Sequence, residues 1–350
     1  MKPKPNLKLS VHSNDGTLSQ IYTGFFELQK KGLINLEIGF SKDFRFDKKN
    51  THYVEALLDN KIKIIYETLD NAERFCKDIE SIEPDYYFKR SFNPKFVDQK
   101  YSNICFLPLG LNYFVTSQNN AIKPLGKKVT DYFENLKFVK SFHLDKYLFS
   151  SSIGEFESEP IPLEEPKILF MTRAWSTDDE ADHEIIKDRN EVNESRAEII
   201  RICRKQFGDL FTGGFEITEF SARKYPDCLL SSNKYYNRKV YLKIMKSSNI
   251  CISSRGLQNS TGWKMAEYVA ASKAIVSEPL SGVLPGVFSP NKNYLEYSDK
   301  STLISQIQFL IENKNIAESI MTENNKYYKN YLIPDRLVSN TLVAILDNQR

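Results

Sequence analysis

Arg173, Lys264 and Glu267 are the residues of this chain whose types and settings suggest chemistry most directly. Arg173 closes the apolar run Ile168–Met171, in the stretch ILFMTRAW. A guanidinium at a strand end offers a fork of donors that matches phosphate oxygens two at a time. The same Arg can instead pair with the acidic run Asp178-Asp179-Glu180. Lys264 and Glu267 lie in NICISSRGLQNSTGWKMAEYVAASKAIVSEP, residues 249–279. There a buried strand, a polar loop with Arg255 and Gly256, a helix and a second strand follow one another. Ser260 or Thr261 caps the helix, and the amides of Ser260, Thr261 and Gly262 with Lys264 suit a phosphate group. Glu267 can accept two hydroxyls of a ribose. The spacing also fits an ordinary i, i+3 surface ion pair.

Towards the N-terminus, His12 and Asp15 follow the first strand-like run, and Asp70 follows another. An imidazole or carboxylate in such a place can take the proton of an attacking hydroxyl. Asn14-Asp15-Gly16 is equally good turn chemistry, and Asp70 a good helix cap. Lys89 and Arg90, at the end of DYYFKR, are placed to meet a phosphate or acidic sugar, or simply solvent. Gly213-Gly214 reads as a turn. His52, His143 and His183 share no metal-site spacing, and no Asp-x-Asp stands near a strand end, so no metal is expected. Neither G-x-G-x-x-G nor G-x-x-x-x-G-K-[ST] occurs, which argues against a dinucleotide-binding dehydrogenase and a P-loop NTPase.

The elements that must position these residues are strands alternating with helices. Strand signals cover Leu7–His12, Leu36–Phe40, Ile62–Tyr66, Tyr86–Phe88 and Ile104–Leu107, with a helix over Ser19–Lys31. Tyr53–Leu58 and Asn71–Ile82 read as amphipathic segments between them. After residues 151–166, rich in Pro and Glu, the alternation resumes with strands at Lys167–Met171, Asn249–Ser253 and Ala274–Ser277. Helices are expected at Glu191–Phe207, Arg238–Lys246, Thr261–Ser272, Ser301–Asn313, Asn315–Leu332 and Leu337–Asn348, and Asp209–Gly214 leads into a loop. This is an α/β chain with parallel sheets. The expected organisation is a first domain over 1–155, a linker at 156–166, a second domain over 167–332 and a closing helix over 333–350.

Composition narrows the class. The chain has 350 residues, 48 basic against 45 acidic, and the balance holds in both halves, so neither is a nucleic-acid module on charge grounds. Five separated cysteines make no disulfide framework or zinc site. No signal peptide or membrane-spanning run appears, and the chain reads as cytoplasmic. Aromatics are abundant at 13%. Tyr22, Tyr86, Tyr113, Trp175, Tyr235, Tyr236 and Trp263 fall at strand ends or loops, where rings can stack on sugars.

The segment from Asn249 to Pro279 resembles the nucleotide-sugar-binding domain of GT-B glycosyltransferases of the group 1 type, with Glu267–Val276 over the family's E-A-x-A-x-G-x-P-V-I. The resemblance implies two facing Rossmann-like domains (the GT-B architecture) with a C-terminal crossover helix. It also implies sugar transfer from a nucleotide-sugar donor to a glycan, lipid-linked or protein acceptor in bacterial surface-glycan synthesis, with no cofactor or metal, no nucleic acid and at most peripheral membrane contact. Glu267 would hold the donor ribose and Arg173 the pyrophosphate. Two departures stand out. Asn259 replaces the first Glu of the E-x7-E pattern, which removes a charge usually tied to the retaining mechanism, and Ser272 replaces the glycine. A nucleotide-sugar 2-epimerase shares this architecture, and a non-catalytic sugar-binding or assembly protein is compatible with the loss of that Glu.

Overall fold

A computed structural model describes residues 3–12, 16–41, 51–116, 151–161 and 164–348. The chain divides into two compact units. Unit 1 is built from Met1–Glu155 with Gly282–Gly286 and Lys329–Arg350, and unit 2 from Phe156–Ser281 with Val287–Tyr328.

Unit 1 carries a six-stranded sheet made of β1 (Asn6–Val11), β2 (Asn35–Phe40), β3 (Tyr53–Leu58), β4 (Ile62–Glu67), β5 (Tyr86–Lys89) and β6 (Cys105–Pro108), in the order β2-β1-β3-β4-β5-β6. The sheet is mixed. Tyr53–Leu58, read from the sequence as an amphipathic segment between strands, is instead a strand that runs antiparallel to both β1 and β4. The cause is local: Asp59 and Asn60 adopt φ of 50° and 56°, the left-handed pair of a tight hairpin turn that returns the chain directly into β4. Over the other expected amphipathic segment, 71–82, only Ile79–Ile82 is helical.

The helix α1 (Ser19–Lys30) buries Ile21, Phe25 and Leu28 on one face. Against it lies the last described helix, Pro334–Asn348, whose Leu337, Val338, Leu342 and Ile345 join the unit 1 core. That helix begins at Pro334, three residues before the expected start, because proline's fixed φ suits the first helical turn. Gly24 permits the close approach: a Cβ there would lie 2.2 Å from the Pro334 carbonyl oxygen. The two-residue strands Val115–Thr116 (β7) and Ser151–Ser152 (β8) pair in parallel.

Unit 2 holds an all-parallel sheet of β9 (Ile168–Thr172), β10 (Phe211–Phe215), β11 (Ile250–Ser253), β12 (Ala274–Ser277) and β13 (Leu295–Glu296), in the order β10-β9-β11-β12-β13. Within the unit this is the doubly wound order 2-1-3-4-5, whose switch point lies between its first and third strands, β9 and β11. Near-continuous apolar runs are what a sheet buried on both faces requires, and β9, β11 and β12 are buried along their whole length. Asp209–Gly214, expected to lead into a loop with Gly213-Gly214 as a turn, instead runs into the strand Phe211–Phe215. Gly213 and Gly214 serve close packing within it: a Cβ on Gly213 would lie 2.2 Å from the Phe211 ring, and one on Gly214 2.8 Å from the Leu230 nitrogen.

The long helix His183–Phe207 starts eight residues before the expected Glu191, because the Asp182 side chain accepts from the amides of Glu184 and Ile185. The helix Lys264–Ala270 is shorter than the expected Thr261–Ser272. Together these helices, Arg238–Ser247 and the pair Lys300–Glu312 and Lys314–Tyr327 cover the sheet.

Candidate functional site

Ligands of open α/β sheets bind beyond the carboxyl ends of the strands at the switch point, where loops diverge. In unit 2 this place is formed by the residues after β9 and β11, and cations gather there. Arg173 follows β9, and its guanidinium lies 3.8 Å above the Trp175 ring centroid. It does not turn to the acidic run: Asp178 pairs with Arg223, and Glu180 with Arg189. Lys264 sits with its ammonium 3.9 Å above the Tyr241 ring centroid. Burial pulls its pKa down to about 8; Glu267 opposes the shift, while Arg238, Arg173 and Arg196 add to it.

Glu267 is buried, and its oxygens accept from the Tyr241 hydroxyl at 2.6 Å and from Arg238 Nη2 at 3.0 Å. Burial pushes this carboxyl up, but Arg238, Lys264 and the Tyr241 hydroxyl outweigh it, and the group titrates below its ordinary range. Lys264 and Glu267 therefore belong to one inward-facing network and are not a solvated surface pair. Each carboxylate oxygen keeps a further lone pair, so Glu267 can still accept from a ligand hydroxyl. Tyr236 joins the same cluster. Burial raises its pKa, with Glu216, Arg173, Arg196 and Glu267 as its charged neighbours.

The loop residues behave differently from expectation. Arg255 turns away from the cluster to the long helix, where Asp188 and Glu191 meet its guanidinium at 3.2 and 3.0 Å. Its own amide donates to Glu278. Thr261 forms an isolated bridge with Arg255. The Ser260 amide donates to Leu257 and the Ser260 hydroxyl does the same at 2.8 Å, while the Gly262 carbonyl accepts from Met265. Gly262 is needed for space, since a Cβ there would lie 2.8 Å from the Ser254 carbonyl oxygen. The Ser260 amide is thus engaged within the loop, and the cations carry the site.

In unit 1, His12 follows β1 and its Nε2 bonds Glu55, a residue of β3 that the sequence reading did not single out. The imidazole also lies 4.8 Å from the Tyr53 ring. Asp15 lies outside the described residues, as does His143. Asp70 is neither a helix cap nor free, because it pairs with Arg90, whose side chain is 4% exposed. Lys89 is wholly buried: its ammonium bonds Glu67 at 2.5 Å and the Arg74 carbonyl at 2.7 Å. The expected acceptor-side role for Lys89 therefore gives way to an internal ion pair, since β5 turns the side chain inward. Of the seven aromatics, Tyr86 and Tyr113 are core residues, whereas Trp175 and Tyr236 stand at the cation cluster. Among the described residues no group of three or more His, Cys, Asp or Glu is placed to hold a metal ion.

Arg196, Arg238 and Tyr241 were not anticipated, although the two arginines left a signal. Arg196 interrupts the apolar stripe of its helix. Arg238 is a cation at a helix start, where the dipole disfavours it. Between Asp227 and Glu267 there is no acidic residue at all, only Lys234, Arg238, Lys239, Lys243, Lys246, Arg255 and Lys264.

No protein-family model matches the chain, and no curated protein matches its sequence. Solved structures do. A glycosyltransferase from Rickettsia africae matches at 13% identity over 97% of both chains, with a TM-score of 0.34. A UDP-GlcNAc 2-epimerase from Neisseria meningitidis, bound to UDP-GlcNAc, matches at 11% over 96% of this chain and 99% of its own, with a TM-score of 0.40. A sucrose-phosphate synthase from Thermosynechococcus elongatus matches at 14% over 60% of this chain, with a TM-score of 0.33, and this match spans 57% of the synthase chain. The two α/β units themselves are read from the chain's own strand order.

Proposed function

We propose that this chain is a glycosyltransferase that moves a sugar from a nucleotide-sugar donor to an acceptor hydroxyl. The observation that carries the reading is the gathering of Arg173, Arg196 and Arg238 about Lys264, with Glu267 the carboxylate in its field, at the switch point of a parallel sheet. Cations in excess of their counter-ions, in a place where such sheets bind ligands, suit a diphosphate.

In this mechanism Arg173 and Lys264 hold the donor's phosphates, and Glu267 accepts from ribose hydroxyls. Glu55 fixes His12 through Nε2, which leaves Nδ1 to take the proton of the acceptor hydroxyl. The acceptor oxygen then bonds the anomeric carbon as the bond from that carbon to the phosphate oxygen breaks. The electron pair leaves with the nucleoside diphosphate, whose added charge Arg173 and Lys264 stabilise. Because side-chain cations neutralise the leaving group, the proposed transfer is metal-independent. The setting implied by the family resemblance is surface-glycan assembly in a bacterial cytoplasm.

Calorimetry with UDP-, GDP-, ADP- and CMP-compounds tests the reading. We expect one nucleoside diphosphate and its sugar to bind, and release of free diphosphate only when an acceptor is added. Failure of every nucleotide to bind would overturn the proposal. So would inversion of the donor sugar without acceptor, which marks epimerisation.

A further inference from the structure

Two buried polar side chains of the long helix His183–Phe207 stand behind Arg173, Lys264 and Glu267. Asn193 is wholly inaccessible and Arg196 is 7% exposed. Both stand in a face otherwise made by Val192, Ala197, Ile200 and Cys203. Asn193 Oδ1 accepts from the Trp175 amide at 2.8 Å, and its Nδ2 donates to the Trp175 carbonyl at 2.8 Å. Both backbone polar groups of one loop residue are thereby fixed by one side chain.

One turn later Arg196 uses all three of its nitrogens. Nε donates to Ser254 Oγ at 3.2 Å, Nη1 to the Arg173 carbonyl at 3.0 Å and Nη2 to the Arg255 carbonyl at 3.1 Å. A single helical turn therefore grips the loop after β9 and the loop after β11, the strands that flank the switch point. None of these three acceptors is a carboxylate. Burial first, and the charge of Arg173 second, hold the Arg196 pKa down to about 10. A guanidinium buried against carbonyls and a hydroxyl is costly for stability, and an apolar residue of similar volume would pack there with less penalty. Core packing alone does not account for it.

We propose that Asn193 and Arg196 are positioning residues of the anion site. They set the spacing of the two strand-end loops and, through Trp175, hold the Arg173 guanidinium where a phosphate meets it. This rests on the reading of the cluster as a diphosphate site. Arg173 touches the ligand; Asn193 and Arg196 act through it.

The chain has two tryptophans, Trp175 and Trp263, so Trp263→Phe leaves Trp175 as the only indole reporter. In that parent, UDP and inorganic pyrophosphate are expected to change Trp175 fluorescence saturably. Asn193→Ala and Arg196→Lys should each weaken binding by about ten- to hundredfold, the size of one lost hydrogen bond to a charged group. Melting temperatures of the folded variants should lie well above the assay temperature. Arg196→Lys keeps the charge, but one ammonium cannot span three acceptors in two loops. Parental affinity in Arg196→Lys would show that charge alone matters and would overturn the clamp.

A second readout needs no ligand. Acrylamide should quench Trp175 more strongly in Asn193→Ala than in the parent, because the indole is freed from its anchored backbone. Unchanged quenching would overturn the clamp even if Arg196→Lys fails to fold. Calorimetry on the unsubstituted chain with the same two ligands separates the claims. Absence of binding there overturns the diphosphate reading, whereas binding that Asn193→Ala leaves intact overturns only the positioning role.

Discussion

Lys264 offers the sharpest link between the geometry and a solution measurement. Its ammonium lies over the Tyr241 ring, with Glu267 the carboxylate in its field and Arg238, Arg173 and Arg196 the cations opposing it. With a pKa of about 8, the ligand-free site is mostly charged at neutral pH and mostly neutral one unit above 8. A diphosphate needs the charged form, and its terminal phosphate is already ionised at pH 7. Binding above pH 8 must therefore draw in a proton, and apparent affinity must fall as pH rises through 8. For one group with this pKa the charged fraction drops from about nine tenths at pH 7 to about one tenth at pH 9, a loss of roughly tenfold or ~1.4 kcal/mol in binding.

Calorimetric titration with UDP across that range, in two buffers of different ionisation heat, measures both the affinity and the protons taken up. Lys264→Arg, whose guanidinium stays charged throughout, should flatten the profile, and Lys264→Met should be weak at every pH. The same depressed pKa bears on folding. Between about 8 and the ordinary lysine value the unfolded chain binds more protons than the folded one, so stability of the ligand-free protein rises with pH in that window. A flat wild-type affinity between pH 7 and 9, or a slope that survives in Lys264→Arg, would refute this reasoning.

Three further outcomes follow from the same contacts. Glu267→Gln removes the carboxylate that holds the Lys264 pKa up, so the midpoint of the pH-affinity curve should move below 8; calorimetry reads the shift. His12→Ala should lower turnover by roughly 10²- to 10⁴-fold while leaving UDP affinity unchanged, and Glu55→Gln should lower turnover in the same direction; steady-state kinetics beside calorimetry would show it. Lys89→Met should cost about 3–5 kcal/mol in urea unfolding, because it strands the buried Glu67 carboxylate. That loss would be far too large for a solvent-facing lysine at a strand end.

Local signals made part of this molecule legible from its residues. The apolar runs of β9, β11 and β12 mark a sheet buried on both faces, and the polar residues just after them mark where its loops diverge. Arg173, Lys264 and Glu267 stand out for that reason. What stayed hidden depends on distant partners. Arg238 reaches Glu267 and Tyr241 reaches the same carboxylate only through the packing of two helices, and Arg196 finds its acceptors in two separate loops. Lys89 shows the converse: its position at a strand end is plain in the sequence, but which way β5 turns it is fixed by Glu67 on β4. The strand at Tyr53–Leu58 was hidden by its amphipathic composition, although the Asp59-Asn60 turn that reverses the chain is a local signal. Glu55, the partner of His12, was hidden with it.

The central claim is that the cations at the end of β9 and the start of Lys264–Ala270 receive a nucleoside diphosphate. A crystal soaked with UDP tests it most directly. Difference density for two phosphates is expected within hydrogen-bonding reach of Arg173 and Lys264, with the ribose hydroxyls at Glu267. Phosphates bound elsewhere, with Arg173 and Lys264 bare in a crystal that holds the nucleotide, would contradict it.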